Sequence, residues 1–208
     1  MTEATVGRRE RKKEETKRKI FEAAVKLFTD KGFSATTVDE IAEAADVAKG
    51  TFFNYFPRKE AIVHYLFEEW AEAGEQIVAE TSRPAQDRIL DLFTVAAASF
   101  GEKRELARTV AQFALQQICG PQPEEIPTHR RHDQIFDDLW KQGVANGEFR
   151  ADVDPMQAHS VMGSVFVGAV TWWVGRPDGS PDSRAPQYAL PDIIRASMKM
   201  VFDGLRKT

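Results

Sequence analysis

Residues 20–62 read IFEAAVKLFTDKGFSATTVDEIAEAADVAKGTFFNYFPRKEAI, and the spacing of apolar residues in this stretch decides the fold. Ile20, Ala23, Ala24, Leu27 and Phe28 recur with the period of one helical face, and Gly32 supplies a stop. That first helix is expected to begin at about Thr16. Thr37 followed by Glu40 has the spacing of a capping box, in which the hydroxyl and the carboxylate each satisfy a free amide at a helix start. Val38, Ile41, Ala42 and Ala45 then make the buried stripe of a short second helix. Lys49 to Phe56 forms a third, halted by Pro57, whose ring disfavours helical geometry at the residue before it. Phe52 and Phe56 belong to the core of this trihelical unit, with a helix-turn-helix over about 37–56.

Working outward, Pro57 opens a long fourth helix with a stripe of Ile62, Leu66, Trp70, Ala73 and Ile77, running up to Arg83 and Pro84. Further helical stretches are expected over 85–100, 104–118, 129–145 and 155–175, and a last one from Pro191. The segment 119–128, with three prolines and a glycine, and the segment 176–189, rich in Pro, Gly, Ser and Asp, read as loops. The stretch from Pro155 is apolar nearly all round: Val161, Met162, Val165, Phe166, Val167, Val170, Trp172 and Trp173. Such a helix needs covering on every face. No strand-period alternation occurs, so the expected fold is all-α: an N-terminal helix-turn-helix domain over 14–74 and a larger helical domain over 75–208.

Of the 208 residues 42% are hydrophobic, enough to bury a sizeable core. The single cysteine, Cys119, excludes an intramolecular disulfide and fits a reducing, cytoplasmic setting. No apolar run reaches the roughly 18 residues that span a bilayer, and no membrane partner is expected. The chain carries no P-loop, dinucleotide glycine fingerprint, nucleophile elbow or H-E-x-x-H, so neither catalysis nor a cofactor is expected. His129 and His132 share a helical face but flank Arg130 and Arg131 and lack a third ligand. They read as a solvated helix start, not a metal site. Cys119 has no basic neighbour or second thiol to make it a redox sensor.

The net charge is -4, yet residues 1–60 hold 13 basic against 11 acidic side chains and the remainder 15 against 21. The excess is densest in Arg8, Arg9, Arg11, Lys12, Lys13, Lys17, Arg18 and Lys19, interrupted by Glu10, Glu14 and Glu15. Standing alone, such a run is a solvated helix face or a tail. Beside a helix-turn-helix it suits a segment that follows DNA phosphates or enters the minor groove.

Residues 20–62 resemble the DNA-binding domain of TetR-type regulators. The matching positions are Ala23, Ala24, Leu27 and Phe28; Gly32 and Phe33; Thr36, Thr37, Val38, Ile41 and Ala42; Lys49 to Phe52, Tyr55 and Phe56; and Lys59 with Glu60. The resemblance implies a homodimer of helical subunits on a palindromic operator, with DNA contacts from Thr36, Thr37, Lys49, Gly50, Thr51, Asn54, Tyr55 and Lys59. Gly50 to Tyr55 would enter the major groove, where Lys49 meets phosphate or a guanine edge and Thr51 and Asn54 meet base edges or phosphate. Tyr55 would lie at the backbone, and Thr37 and Lys59, at helix starts, would clamp it. Three positions depart from the commonest form. Asp46 replaces a turn glycine, Ala48 replaces a capping serine worth roughly 1 kcal/mol, and Phe53 replaces a tyrosine.

For the second domain the resemblance implies only architecture. The last two helices would pair with their copies in the partner, with Gly163, Ser164, Gly168 and Ala169 permitting close approach. Trp172 and Trp173, about 100° apart on the helix, would face opposite surroundings. A cavity lined by Phe93, Phe100, Phe113, Trp140 and Phe166, with Gln116 as a polar contact, would take a small apolar or aromatic effector. The expected function is a repressor released from its operator by that effector; the alternative is an effector-independent regulator or an activator of the same fold.

Overall fold

The computed structural model describes residues 3–101, 103–119, 127–176 and 189–205, and these are all-helical. The elements run α1 (Glu3–Lys31), α2 (Val38–Ala44), α3 (Lys49–Tyr55), α4 (Glu60–Ala79), α5 (Ala85–Phe100), α6 (Arg104–Cys119), α7 (Pro127–Ala145), α8 (Pro155–Gly175) and α9 (Leu190–Leu205). They form two compact units, Met1–Leu66 and Phe67–Thr208, and α4 supplies residues to both.

In the first unit α1 starts at Glu3, not near Thr16 as the apolar stripe suggested. Local pairs carry the polar extension: the Thr16 hydroxyl donates to the Lys12 carbonyl at 2.9 Å, and Arg11–Glu15 and Arg18–Glu22 are i,i+4 ion pairs. Ile20, Phe21, Ala24 and Phe28 of α1 are buried together with Ile41 and Ala42 of α2 and Phe52 and Phe56 at α3. Aromatic edges knit them: Phe52 lies 5.9 Å from Phe56, Phe56 5.9 Å from Tyr65, and Tyr65 5.0 Å from Phe21.

The join between α2 and α3 is a Schellman turn. The Val47 amide donates to Ala42 O at 2.9 Å and the Asp46 amide to Glu43 O at 3.0 Å, with Asp46 in the left-handed region at φ 54°. Aspartate tolerates that backbone better than most residues, so the turn persists without glycine. Ala48, the N-cap of α3, offers no side-chain hydrogen bond. At α2 the capping box forms as expected, with Glu40 N to Thr37 Oγ1 at 3.3 Å and Thr37 N to Glu40 Oε2 at 2.8 Å.

In the second unit Glu148 caps α5, accepting from the Ala85 and Gln86 amides at 3.0 Å each. Asp154 caps α8, accepting from the Gln157 amide at 3.0 Å with Pro155 in the first turn. The far end of α8 is closed by arginines of α6: Arg104 donates to Trp173 O at 2.9 Å and Arg108 to Val174 O at 3.1 Å. A ladder of stacked rings, Phe136, Trp140, Phe149 and Phe202, runs from α7 to α9 through the segment after α7. α4 stops at Ala79, short of the expected Pro84. There the buried Arg88 donates to Val78 O at 3.1 Å, closing the helix end with a cation, and to Gln142 at 2.8 Å.

Two outcomes follow. Ala48→Ser should stabilise the fold by about 1 kcal/mol in urea unfolding, by restoring a cap. Glu40, held at about 2 against an ordinary 4.5 by the Lys31 hydrogen bond and the Thr37 amide, is deprotonated in the native state where the unfolded chain binds a proton. Its contribution is therefore complete above about pH 4.5 and lost as pH falls toward 2, and Glu40→Gln should flatten the stability–pH curve in that window.

Candidate nucleic-acid interface and effector cavity

Burial of Phe52 fixes which side of α3 meets solvent: Lys49, Gly50, Phe53 and Asn54 are exposed, and Thr51 and Tyr55 half-buried. Thr51, Asn54 and Tyr55 come together on one groove, while Lys49 at the start of α3 is not among its lining residues. Lys49 pairs with Asp39 at 2.9 Å, an exposed contact worth at most about 1 kcal/mol, so a phosphate could replace the carboxylate at little cost. A Cβ built on Gly50 would meet nothing within 4 Å. Its own fold does not need a glycine there, whereas close approach of another backbone would.

Thr36 and Lys59 require correction. Thr36 is 1% exposed and its hydroxyl donates to Gly32 O at 2.8 Å, so the side chain braces the end of α1 and reaches no DNA. Lys59 donates to Phe33 O at 2.6 Å and Thr36 O at 2.7 Å, and lies 4.2 Å from the centre of the Phe33 ring. Burial pulls its ammonium below the usual lysine value, and two of its three N–H donors strap the α1–α2 connection to the start of α4. Thr37 stays exposed, with its hydroxyl engaged in the capping box. Thr51, Asn54 and Tyr55 also line an open groove whose other wall is Arg9, Glu10, Lys12, Lys13 and Thr16 of α1.

The second unit contains a cavity of about 400 Å³, within the range of small-ligand sites. Phe93, Phe113 and Phe166 line it as expected, joined by Phe67, Trp70, Phe136, Leu92, Val110, Val167 and Val170. Phe100 and Trp140 do not. Phe100 is fully buried behind Trp70, ring centres 5.5 Å apart, and Trp140 is sandwiched between Phe136 and Phe149. Both are packing residues because their rings are consumed by other rings. The side chains of Gln116, His129 and His132, and that of Cys119, lie outside the described residues.

The polar members of the lining are Asp133 and His159, whose Oδ1 and Nδ1 are 3.1 Å apart, with the imidazole stacked on Phe136 at 4.6 Å. Sequence reading missed this pair, which comes from α7 and α8. It also missed Phe67 and Trp70 as lining residues, because periodicity marks an inward face without telling core from cavity. No group of His, Cys, Asp and Glu able to hold a metal occurs among the described residues. No helix there is long and apolar enough to cross a membrane.

On α8, Val161, Ser164, Gly168 and Trp172 follow one another at helical spacing and are exposed, while Trp173 is 7% exposed and inward. Trp173 therefore faces the interior, while Trp172 is exposed in one subunit.

A trihelical unit with a helix-turn-helix, and a second helical unit with an apolar cavity, are the parts of a ligand-responsive DNA-binding transcriptional regulator. Residues 20–66 match the family described as bacterial regulatory proteins, tetR family. The match falls on the helix-turn-helix unit. It is similar to the HTH-type transcriptional repressor KstR2 of Mycolicibacterium smegmatis, 25% identical over 176 residues that cover 81% of this chain and 84% of that protein. The FadR regulator of Bacillus subtilis, solved with stearoyl-CoA, shares the fold at TM-score 0.66 and 21% identity, covering 91% of this chain and 99% of its own. The Thermus thermophilus FadR, a transcriptional repressor solved with lauroyl-CoA, aligns at TM-score 0.58 and 25% identity over 92% of this chain and 97% of its own.

Gly50→Ala should raise stability by about 0.5–1 kcal/mol in urea, since alanine is the better helix former and has room. The same change should weaken binding to DNA, read by fluorescence anisotropy, because its methyl occupies the approach path.

Proposed function

We propose that this chain is a repressor that binds a palindromic operator as a homodimer and leaves it when an apolar acyl or ring-bearing molecule enters the cavity of the second unit. The observation that carries the effector reading is the cavity itself: about 400 Å³, walled by six aromatic rings and offering the Asp133–His159 pair as its polar feature. An apolar body gains roughly 25 cal/mol per Å² of surface removed from water there. A carbonyl or hydroxyl on the ligand would meet the imidazole. The lauroyl-CoA bound by the Thermus thermophilus relative fits the same pattern, with its acyl chain the part suited to such walls.

DNA recognition falls to Lys49, Thr51, Asn54 and Tyr55 around Gly50, with base edges read by Thr51 and Asn54. A palindrome presents two half-sites about 34–36 Å apart, so two copies of α3 must be held at that separation. We assign the holding surface to α8 and α9. The stripe Val161, Ser164, Gly168 and Trp172, with Met200 71% exposed on α9, leaves apolar surface uncovered in one subunit and admits close helix approach. Release is then a shift between dimer states. Moving a population from 1:99 to 99:1 takes about 5.5 kcal/mol of differential ligand affinity. α4 is the shared element, since it begins in the first unit while its Phe67 and Trp70 wall the cavity.

The test is titration of lauroyl-CoA into the protein bound to the DNA upstream of its own gene. Release is expected for the native chain, and Gly163→Leu, which projects into open space at the cavity wall, should need at least tenfold more probe with DNA affinity unchanged. If neither lauroyl-CoA nor other apolar acyl or ring probes move the affinity, the effector-independent reading takes its place. Val161→Glu should yield a monomer in sedimentation at micromolar concentration and lose operator binding.

A further inference from the structure

The polar start of α1 is a built surface, not a tail. Arg9, Lys12, Lys13 and Thr16 stand at i, i+3, i+4 and i+7 of a continuous helix, within an arc of about 100°. These four side chains form one wall of the groove whose other wall is Thr51, Asn54 and Tyr55 of α3. The three cations are exposed. Carboxylates on the other faces of this stretch are engaged elsewhere: Glu14 accepts from the Tyr65 hydroxyl at 2.9 Å, and Glu15 pairs with Arg11 at 3.6 Å. Glu10 lines the groove with the cations and opposes them.

A helix with side chains is about 10–12 Å across and does not fit a B-DNA minor groove about 6 Å wide. The helical state therefore favours contact with phosphates over insertion as an arm. We propose that Arg9, Lys12 and Lys13 form a phosphate cradle, a second DNA contact that is blind to sequence and takes the strand bordering the major groove entered by α3. This rests on the operator-binding reading above. The cradle and the recognition residues share one groove, so a strand seated on the cations lies beside Thr51 and Asn54. Each cation that meets a phosphate releases a counterion, so the cradle contributes to the salt dependence of binding and fixes register, while α3 supplies discrimination.

The experiment measures anisotropy of the full chain with two duplexes of equal length: the DNA upstream of its own gene and a shuffled version. Salt is varied from about 50 to about 200 mM. For Arg9→Gln/Lys12→Gln/Lys13→Gln the affinity should fall equally on both duplexes, leaving their ratio intact. The slope of log K against log salt should become shallower by about 1 per residue in each half-site, so the native advantage shrinks about threefold per contact over that range. Glu10→Gln should bind both duplexes more tightly, a gain that misfolding could not produce. Asn54→Ala should lose the ratio and keep the slope. An unchanged slope in the triple variant, or a loss confined to one duplex, would overturn the cradle and leave the recognition reading standing. Failure of the native chain to bind either duplex at the lowest salt would overturn both.

Discussion

A helix of seven residues cannot hold itself in water, because nucleation fixes several dihedrals for one hydrogen bond and isolated helices shorter than about 12 residues are marginal. α2 and α3 are both of that length, so the DNA-facing surface exists only through what their inner faces bury. Ile41 and Phe52 are fully buried and Phe56 nearly so, each worth roughly 1.5–3 kcal/mol. The Schellman turn at Asp46 and the Thr37–Glu40 box then set the angle between two elements that packing has already made stable. Thr36 and Lys59 belong to the same constraint: they satisfy carbonyls at the α1–α2 connection and hold the small unit closed.

The second unit answers a different constraint. α8 is apolar around its circumference, and three kinds of neighbour share it: the packed helices of its own unit, the cavity lined by Gly163, Phe166, Val167 and Val170, and the exposed stripe through Gly168 and Trp172. One helix thereby borders both the cavity and the surface proposed to meet a partner subunit. A change in how tightly it is held on the cavity side would alter the surface it presents on the other.

The division between the legible and the hidden follows residue chemistry. Capping, turn and periodicity signals are local, and those at Thr37, Asp46 and Pro155 were met where they were expected. Helix ends without such a signal were not. The polar start of α1 at Glu3 has no apolar stripe to announce it, and the end of α4 at Ala79 is closed by an arginine nine residues on in the chain. Of the aromatics expected in the cavity, Phe93, Phe113 and Phe166 reach it while Phe100 and Trp140 are spent on stacking, a distinction that composition does not carry.

Periodicity, the capping spacing and the K-G-T-F segment were sufficient for the all-helical class and the helix-turn-helix, because each depends on residues within a few turns of one another. The direction of every ring in the second unit, the Asp133–His159 pair and the groove joining Arg9, Lys12 and Lys13 to Thr51, Asn54 and Tyr55 were settled by folding. They join residues distant in the chain, and which side chains meet across such distances is decided by how helices pack, not by any pattern within one helix.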